Sequence, residues 1–368
     1  MEDKLLIICP EDKEYAMEKR ALHIFKTMTE FFEKEDIEYE TAENREVLSD
    51  FINRGKLKHR KTIFFQYIDK GGINVEAVRM LRLINNETDK GRHVLEGSVC
   101  AILVDGQSEL YTKNTGRNLG FSLNRAGSWL LGSPLIEATG SMNNFSIRSK
   151  LDHMSLFESY ENSFINLLDR LLKFSAEKIS KPNILAIDAS VSKYSNTLSL
   201  WNKVKVHLQN KCVIREISLK NGTLADCRGC PHETCMHFSE NNSCFYGGQV
   251  VKEVYPAILE CDGLLLICPN YNDAVPANIA ALINRCTALV KTNSFFGKRL
   301  FTIAVSGYSG GDIVAKQILG AMNMNKSFCL PPNFALLETA NEPGDVEKIH
   351  NIEQKGMNFA KNILSAFQ

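Results

Sequence analysis

The sequence predicts an α/β protein with two tandem domains, each a five-stranded parallel sheet with helices on both faces. Near-continuous apolar runs such as residues 263–268 indicate strands that are buried on both faces. These runs alternate with helical stretches, a pattern that is typical of parallel sheets. The length of 368 residues exceeds one ordinary α/β domain and suits two.

An internal repeat supports two domains of the same kind. Three pairs of segments match in the same order along the chain: 98–106 with 299–307, 135–139 with 336–340, and 83–85 with 282–284. The first two pairs are separated by 201 residues and the third by 199. A nearly constant separation favours a tandem duplication over two unrelated segments that share common apolar strings.

The strands follow one another in the same rhythm in both halves. They are predicted at 5–9, 37–40, 62–67, 99–104 and 135–138, and again at 184–187, 213–217, 263–268, 300–305 and 335–338. A helix is predicted over 75–84, and the spacing of Phe164, Leu167 and Leu171 predicts another over 151–179.

Five strands per unit suit the flavodoxin-like order, in which ligands bind at the carboxyl ends of the strands. We expect two flavodoxin-like domains, 1–180 and 181–368, because Pro182 ends a helix before a new strand.

Charge and cysteine usage limit the function classes. Lys plus Arg and Asp plus Glu number 43 each, so no net charge attracts nucleic acid or an anionic membrane. The first apolar run is too short for a signal peptide, and no run is long enough to span a bilayer. We therefore expect a cytoplasmic protein whose eleven cysteines stay reduced.

A hydroxyl-rich loop follows the first strand of the second half. The turn between a parallel strand and a helix N-terminus offers free N–H groups and a positive dipole end to a phosphate. The candidate phosphate ligands are Ser190, Ser192, Lys193, Ser195, Asn196 and Thr197. The simpler interpretation is that Ser195 or Asn196 only caps the helix.

Two more loops are expected at the same sheet edge. The loop after the third strand offers an aromatic face and amides for a flat heterocycle, with Pro269, Asn270, Tyr271, Asn272 and Asp273. The loop after the fourth strand lets the backbone approach a ligand closely, with Ser306, Gly307, Tyr308, Gly310 and Gly311. A phosphate loop beside two such loops is what FMN requires.

The second half resembles the family of NADPH-dependent FMN reductases and iron–sulfur flavoproteins. The resemblance rests on Ser190, Ser195, Asn196 and Thr197 at phosphate positions and on 269–273 as the P-x-Y loop at the flavin ring. Ala189 stands where the family usually has glycine, and Ser192 stands where it often has arginine. The resemblance implies FMN as cofactor, NAD(P)H as co-substrate and no catalytic side chain, because the flavin performs the redox chemistry.

The first half is interpreted as a degenerate copy without its own cofactor. Its first loop, 10–14, is acidic, and its loop at 68–72 lacks the proline and tyrosine. Family members often dimerise near the flavin, so the resemblance implies a pseudo-dimer in which Tyr111, Lys113 or Arg117 serves the site. The alternative is a purely structural domain, and pairing into a homodimer is open.

Four cysteines lie close together in an insertion at 227–244. Cys227, Cys230, Cys235 and Cys244 suggest a thiolate site. The family resemblance implies a [4Fe–4S] cluster, although the spacing here is looser than usual. Zinc, with His232 or His237 as a ligand, and no metal are the other interpretations. The remaining cysteines lie in apolar runs and are expected to be buried.

Two functions follow from these features. The first is an FMN-dependent NAD(P)H oxidoreductase that passes electrons to a quinone, a nitro or azo compound, a flavin or an iron–sulfur cluster. The second is an iron–sulfur flavoprotein that acts as electron carrier or redox sensor with a protein partner. A scaffold that has lost its cofactor is the third and weakest interpretation, because the loops at 269–273 and 306–312 are both intact.

Overall fold

The computed structural model describes residues 5–190, 194–219 and 224–368. The chain divides into two compact units, Met1–Ser175 and Ala176–Gln368, which we call unit 1 and unit 2. Each unit contains one five-stranded, all-parallel sheet in the described part of the chain. The prediction of two flavodoxin-like α/β sheets is confirmed. None of the described helices is long and apolar enough to cross a membrane.

Unit 1 alternates strands and helices along the chain. Its strands are β1 (Leu5–Ile8), β2 (Tyr39–Ala42), β3 (Lys61–Ile68), β4 (Val99–Gly106) and β5 (Trp129–Ala138). Its helices are α1 (Lys19–Lys34), α2 (Arg45–Asn53), α3 (Val75–Asp89), α4 (Thr112–Arg125), α5 (Ser146–Asp152) and α6 (Leu156–Lys173). The strand order β2-β1-β3-β4-β5 is the flavodoxin-like order.

Unit 2 repeats this architecture. Its strands are β6 (Asn183–Asp188), β7 (Val213–Ser218), β8 (Gly263–Pro269), β9 (Arg299–Ser306) and β10 (Ala335–Thr339). Its helices are α7 (Asn196–Leu208), α8 (His232–Ser239), α9 (Tyr255–Glu260), α10 (Ala277–Val290), α11 (Gly311–Ile318) and α12 (Ile352–Ser365), and two π-helical segments cover Val250–Val254 and Leu319–Met324. The order β10-β9-β8-β6-β7 is the same flavodoxin-like order.

The last two strands of both units pair in the same register. Ile102 lies opposite Leu135 in unit 1, and Ile303 lies opposite Leu336 in unit 2. Both residues of the second pair come 201 positions after those of the first. The repeated segments therefore occupy equivalent positions in the two sheets.

Several element boundaries differ from the prediction; β5 begins at Trp129 instead of 135, and α3 extends to Asp89 instead of 84. Strand β2 starts at Tyr39 because the N–H of Ile37 still bonds Phe32 O at the end of α1 (2.8 Å). The long helix over 151–179 is wrong: α5 ends at Asp152, its C-cap His153 has a left-handed φ of 54°, and Ser155 caps α6 in a capping box with Glu158. The polar residues 105–115 after the fourth strand predict a loop, but α4 already begins at Thr112.

Candidate functional site

The three predicted loops emerge at one edge of the unit 2 sheet. Strands β6, β8 and β9 are parallel neighbours, so their carboxyl ends, at Asp188, Pro269 and Ser306, lie side by side. The chain reverses its winding direction at β6, which pairs with β7 on one side and β8 on the other. Ligands of open α/β sheets bind beside this switch point.

Two serine side chains meet in the first loop. The Oγ atoms of Ser190 and Ser195 are 3.2 Å apart. Ser195 Oγ also accepts the N–H of Leu198 at 3.3 Å, so this serine caps α7. Ser192 and Lys193, two of the predicted phosphate ligands, lie outside the described residues.

A carboxylate stands beside these hydroxyls at the end of β6. Asp188 Oδ1 accepts the backbone N–H of Ser190 at 3.0 Å and the hydroxyl of Ser218 at 3.2 Å. Burial raises the pKa of Asp188, and the two hydrogen bonds offset part of that rise. The N–H that a phosphate would use at Ser190 is thus taken by Asp188.

Asn196 fastens α7 to the loop that follows β10. Its amide donates to the carbonyl oxygens of Ala340 (3.2 Å) and Glu342 (2.9 Å). Its Oδ1 accepts the backbone N–H groups of Gly344 (3.0 Å) and Val346 (3.3 Å). Both polar atoms of its side chain therefore form hydrogen bonds within the protein. Only its backbone N–H is left to bind a ligand. Thr197, next in the helix, is 2% exposed.

The second loop turns back on itself at 271–274. Asn272 and Asp273 have φ values of 52° and 55°, and Tyr271 and Ala274 form an antiparallel bridge across them. Two consecutive positive φ values define the tight turn that joins β-hairpins. The turn leaves the Tyr271 side chain 56% exposed.

Asn270 joins the second loop to the third. Its Nδ2 donates to Ser306 Oγ and Ser309 O, both at 3.0 Å, and lies 3.3 Å from Asp273 Oδ1. Its Oδ1 is buried and has no hydrogen-bond donor among the described residues. A buried acceptor without a donor is rare and points to a missing ligand or water.

Glycines in the third loop let neighbouring side chains approach. A Cβ atom on Gly307 would lie 2.9 Å from Asn341 Oδ1. Gly310 has a φ of 83° and caps α11, which begins at Gly311. Tyr308 is 83% exposed, and its hydroxyl accepts from Asn341 Nδ2 at 3.3 Å.

Gln317 is a site residue that the sequence reasoning missed. Its Nε2 donates to Asp273 O, and its Oε1 accepts the N–H of Val275, both at 3.0 Å. This pair of bonds holds the 271–274 turn from the side of α11. No local pattern marks Gln317, because its partners lie more than forty positions away.

A comparison with protein families assigns the unit that carries these loops. Residues 182–342 match the family of NADPH-dependent FMN reductases. The predicted resemblance is confirmed, as is an NAD(P)H-dependent enzyme of the FMN reductase-like kind. No curated protein matches the chain.

Several solved structures are similar to about half of the chain. An NAD(P)H:quinone oxidoreductase from Methanothermobacter marburgensis is 12% identical, with a TM-score of 0.40, over 50% of this chain and 97% of its own. An azoreductase from Bacillus anthracis str. Sterne is 13% identical, with a TM-score of 0.35, over 50% and 99%. At these identities and TM-scores the likeness adds nothing to the assignment, which the family match carries.

The four clustered cysteines of unit 2 line one cavity of about 290 Å³. Cys227 is exposed, and Cys230, Cys235 and Cys244 are half-buried. No three described His, Cys, Asp or Glu side chains are arranged to hold one metal ion. The cluster, zinc and metal-free interpretations of these cysteines all stay predictions. The cavity also contains His232, whereas His237 is not among its lining residues.

A buried cation faces the same cavity. Arg285 is 2% exposed, donates to Gly247 O at 2.6 Å and contacts Ala225 O at 3.5 Å. Its Nε is buried without an acceptor, and it forms no ion pair with a described carboxylate. A positive charge in such a place favours an anionic partner inside the cavity.

The other seven cysteines are buried, as predicted. Cys100, Cys261, Cys268, Cys286 and Cys329 all have pKa values raised to about 12 by burial. Such thiols stay protonated and behave as small apolar side chains. The four cysteines around the cavity are thus a distinct class in this chain.

The corresponding sheet edge of unit 1 is filled by an arginine. The Arg20 guanidinium bonds the Asp105 carboxylate (2.8 Å), Gly106 O (2.7 Å) and Thr139 O (2.9 Å). Asp105 occupies the position 201 residues before Ser306. An ion pair therefore stands where unit 2 has a serine hydroxyl.

The unit 1 residues that were predicted to serve the flavin have partners within their own unit. Lys113 Nζ lies 3.3 Å from Glu137 Oε1, and Arg117 donates to Asn114 Oδ1 at 2.9 Å. Tyr111 is 46% exposed. Their role toward a ligand of unit 2 stays a prediction.

Proposed function

We propose that unit 2 binds FMN and that the protein passes electrons from NAD(P)H to a small acceptor such as a quinone, a nitro or azo compound or a free flavin. The observation that carries this proposal is the junction at Asn270, which links the 269–273 and 306–311 loops beside the hydroxyl loop of α7. A cytoplasmic location, where thiols stay reduced, is part of the proposal.

The phosphate end of FMN is assigned to the N-terminus of α7. This helix is thirteen residues long, and its positive dipole end favours an anion. The Ser190 and Ser195 hydroxyls are 3.2 Å apart and can both donate to one phosphate. Ser192 and Lys193 complete the proposed set from the sequence. Asp188 opposes it, because a carboxylate beside a phosphate is repulsive.

The ring end is assigned to the other two loops. Tyr271 offers an exposed aromatic face, and the unpaired Asn270 Oδ1 is an acceptor that a ring N–H can satisfy. Asn272, Asp273, Ser306 and the 307–311 backbone complete the wall. The bound flavin would supply the hydride and electron transfer, while the side chains fix its position and exclude water.

The test is the cofactor content of the full chain. Protein purified without oxygen is expected to show flavin absorbance and to release about one FMN per chain in acid. Asn270→Leu is expected to lower FMN affinity at least about tenfold, because it removes the loop junction. The control Asn358→Leu changes an exposed amide of α12 and is expected to bind as wild type. A colourless protein that also fails to bind added FMN overturns the proposal.

A riboflavin comparison isolates the phosphate contacts. Ser190→Ala is expected to weaken FMN binding several-fold and to leave riboflavin binding unchanged. Ser199→Ala, which changes a serine within α7, is the matched control. Equal losses for FMN and riboflavin would show that Ser190 does not contact the phosphate.

We propose as a second candidate function that the cysteine cavity holds a [4Fe–4S] cluster and that the protein exchanges electrons with a protein partner. All four thiols and the buried Arg285 border one cavity. A cube binds each thiolate through a separate iron, so its ligands are farther apart than those of one zinc ion. Arg285 would balance the negative charge of such a cluster.

Iron and sulfide analysis tests this second candidate. About four irons and four sulfides per chain are expected after anaerobic purification, and Cys235→Ser is expected to lose most of both. Cys212→Ser alters a buried thiol that only bonds Leu208 O and is the control. Zinc without sulfide would support a zinc site. Flavin without iron or zinc would remove the cluster and leave the FMN proposal intact.

A further inference from the structure

Unit 1 contains a cavity that is separate from its arginine-filled sheet edge. The cavity has a volume of about 230 Å³ and lies between β3, α3 and α4. Phe64, Met80, Leu81 and Leu119 form its apolar wall. It is smaller than the roughly 300 Å³ at which ordinary ligand pockets begin, so it suits a ligand of one or two rings.

Polar groups without partners converge on this apolar space. Gln66 points from β3 into the cavity, is only 8% exposed, and its amide has no hydrogen-bond partner among the described residues. Asn118 and Thr115 line the opposite side on α4, and their side chains also have no partner in the described part of the chain. A few polar groups in a mostly apolar cavity are what fix the orientation of a bound ligand.

A strained tyrosine stands at the rim. Tyr111 has φ 77° and ψ −36°, and the N–H of Thr112 bonds Leu110 O at 3.1 Å, which makes a γ-turn of the rare positive-φ kind. Its side chain packs on Gly72, a lining residue whose added Cβ would lie 2.5 Å from Tyr111 Cβ. Backbone strain of this kind persists only where the surrounding structure enforces it, and it is common at ligand sites.

Apolar side chains extend the rim into solvent. Ile73 and Val78 line the cavity and are still 53% and 59% exposed. No charged side chain is among the described lining residues. The site therefore offers apolar faces, an aromatic edge and amide groups, and it offers nothing to balance a charge.

We propose that this cavity binds a neutral planar ring that carries an amide or lactam edge, as a nucleobase or a ring carboxamide does. The ring would lie against the apolar wall, and its edge would exchange hydrogen bonds with Gln66, Asn118 and Thr115. An amide edge both donates and accepts, as does the Gln66 side chain, so the two are complementary. The proposal does not depend on flavin binding in unit 2.

The experiment is ligand binding by the full chain, measured by calorimetry and by saturation-transfer NMR. The probes are nicotinamide, hypoxanthine and uracil, with benzoate and toluene as ligands that lack a neutral amide edge. At least one amide-edged probe is expected to bind, and benzoate and toluene are expected to bind at least about tenfold more weakly. Gln66→Leu, which keeps the shape, is expected to weaken the bound probe at least about tenfold.

Two rim variants separate this site from the rest of the protein. Val78→Trp blocks the mouth from an exposed helix position and is expected to abolish probe binding. Arg82→Trp, one turn further along α3 and outside the cavity lining, is expected to bind as wild type. Failure of all three amide-edged probes overturns the proposal. So does binding that Gln66→Leu and Val78→Trp leave within twofold of wild type.

Discussion

The Asp273 carboxylate occupies the space in which a Cβ atom of Gly310 would lie. The ideal Cβ position is less than 3.0 Å from Asp273 Oδ1 and is 3.0 Å from Asn270 Nδ2. Unit 1 has the inverse arrangement, because there Tyr111 caps the helix after the fourth strand and packs on Gly72 of the preceding loop. In each unit one glycine makes room for one side chain. In unit 2 the glycine caps the helix after the fourth strand, whereas in unit 1 it lies in the loop after the third strand.

Gly310→Ala should therefore damage the site beyond its backbone cost. A φ of 83° costs a residue with a Cβ about 1–2 kcal/mol, and the new methyl group must also displace Asp273 and Asn270. We expect FMN affinity to fall at least about tenfold. Gly91→Ala has a φ of 77° and open space around it, so it should lose stability only and keep FMN binding. Urea unfolding and FMN titration of both variants make the comparison.

Asn196 is expected to stabilise the 340–346 loop more than to bind phosphate. Asn196→Ala removes two donated and two accepted hydrogen bonds, and we expect a loss of about 1–3 kcal/mol in the free energy of unfolding. Asn196→Asp keeps the acceptor half and should lose less. FMN and riboflavin affinities of these variants should fall in the same ratio. A selective loss of FMN would instead place the side chain at the phosphate.

The fold was predictable because its central strands carry their signal locally. Continuous apolar runs mark β3, β4, β8 and β9, and burial on both faces is their physical cause. The end of α1 was harder to predict, since Ile37 is apolar but closes a helix. The break before α6 was marked by Ser155 and Glu158, a capping box that the periodicity of the helix conceals.

The sequence predicted which loops form the site but not the hydrogen bonds between them. Positions at the ends of parallel strands follow from the strand order, which brings Ser190, Asn270 and Ser306 to one edge. The bonds from Asn196 to Ala340 and from Gln317 to Asp273 join residues 144 and 44 positions apart. No short-range pattern encodes such pairs. The start of α4 was missed because its polar first turn, which includes Lys113 and Asn114, has no apolar periodicity.

Asp188 should make the protein less stable as pH rises. Burial raises its pKa in the folded state above the ordinary value of 3.8, so the folded protein binds this proton more tightly than the unfolded chain. Stability from this group is present below that value and is lost as pH rises through the raised pKa. Asp188→Asn should remove this decline in urea unfolding measured from pH 4 upward.

Asp345 provides a control of opposite sign. The hydrogen bond from Lys348 lowers the pKa of Asp345, so its contribution is present above the ordinary value and is lost as pH falls. Asp345→Asn should therefore flatten the acid side of the stability profile. An unchanged profile in Asp188→Asn would mean that Asp188 is not desolvated in solution.

Arg20 and Asp105 should be replaceable together but not singly. Arg20→Met leaves the 5%-exposed Asp105 without its cation, which we expect to cost about 3–5 kcal/mol. Adding Asp105→Ser installs the residue that unit 2 has at Ser306 and should recover at least half of that loss. The two tryptophans lie in different units, so Trp201→Phe leaves Trp129 to report the urea unfolding of unit 1. A double variant no more stable than Arg20→Met would show that the bonds of Arg20 to Gly106 and Thr139, not the buried charge of Asp105, dominate the loss.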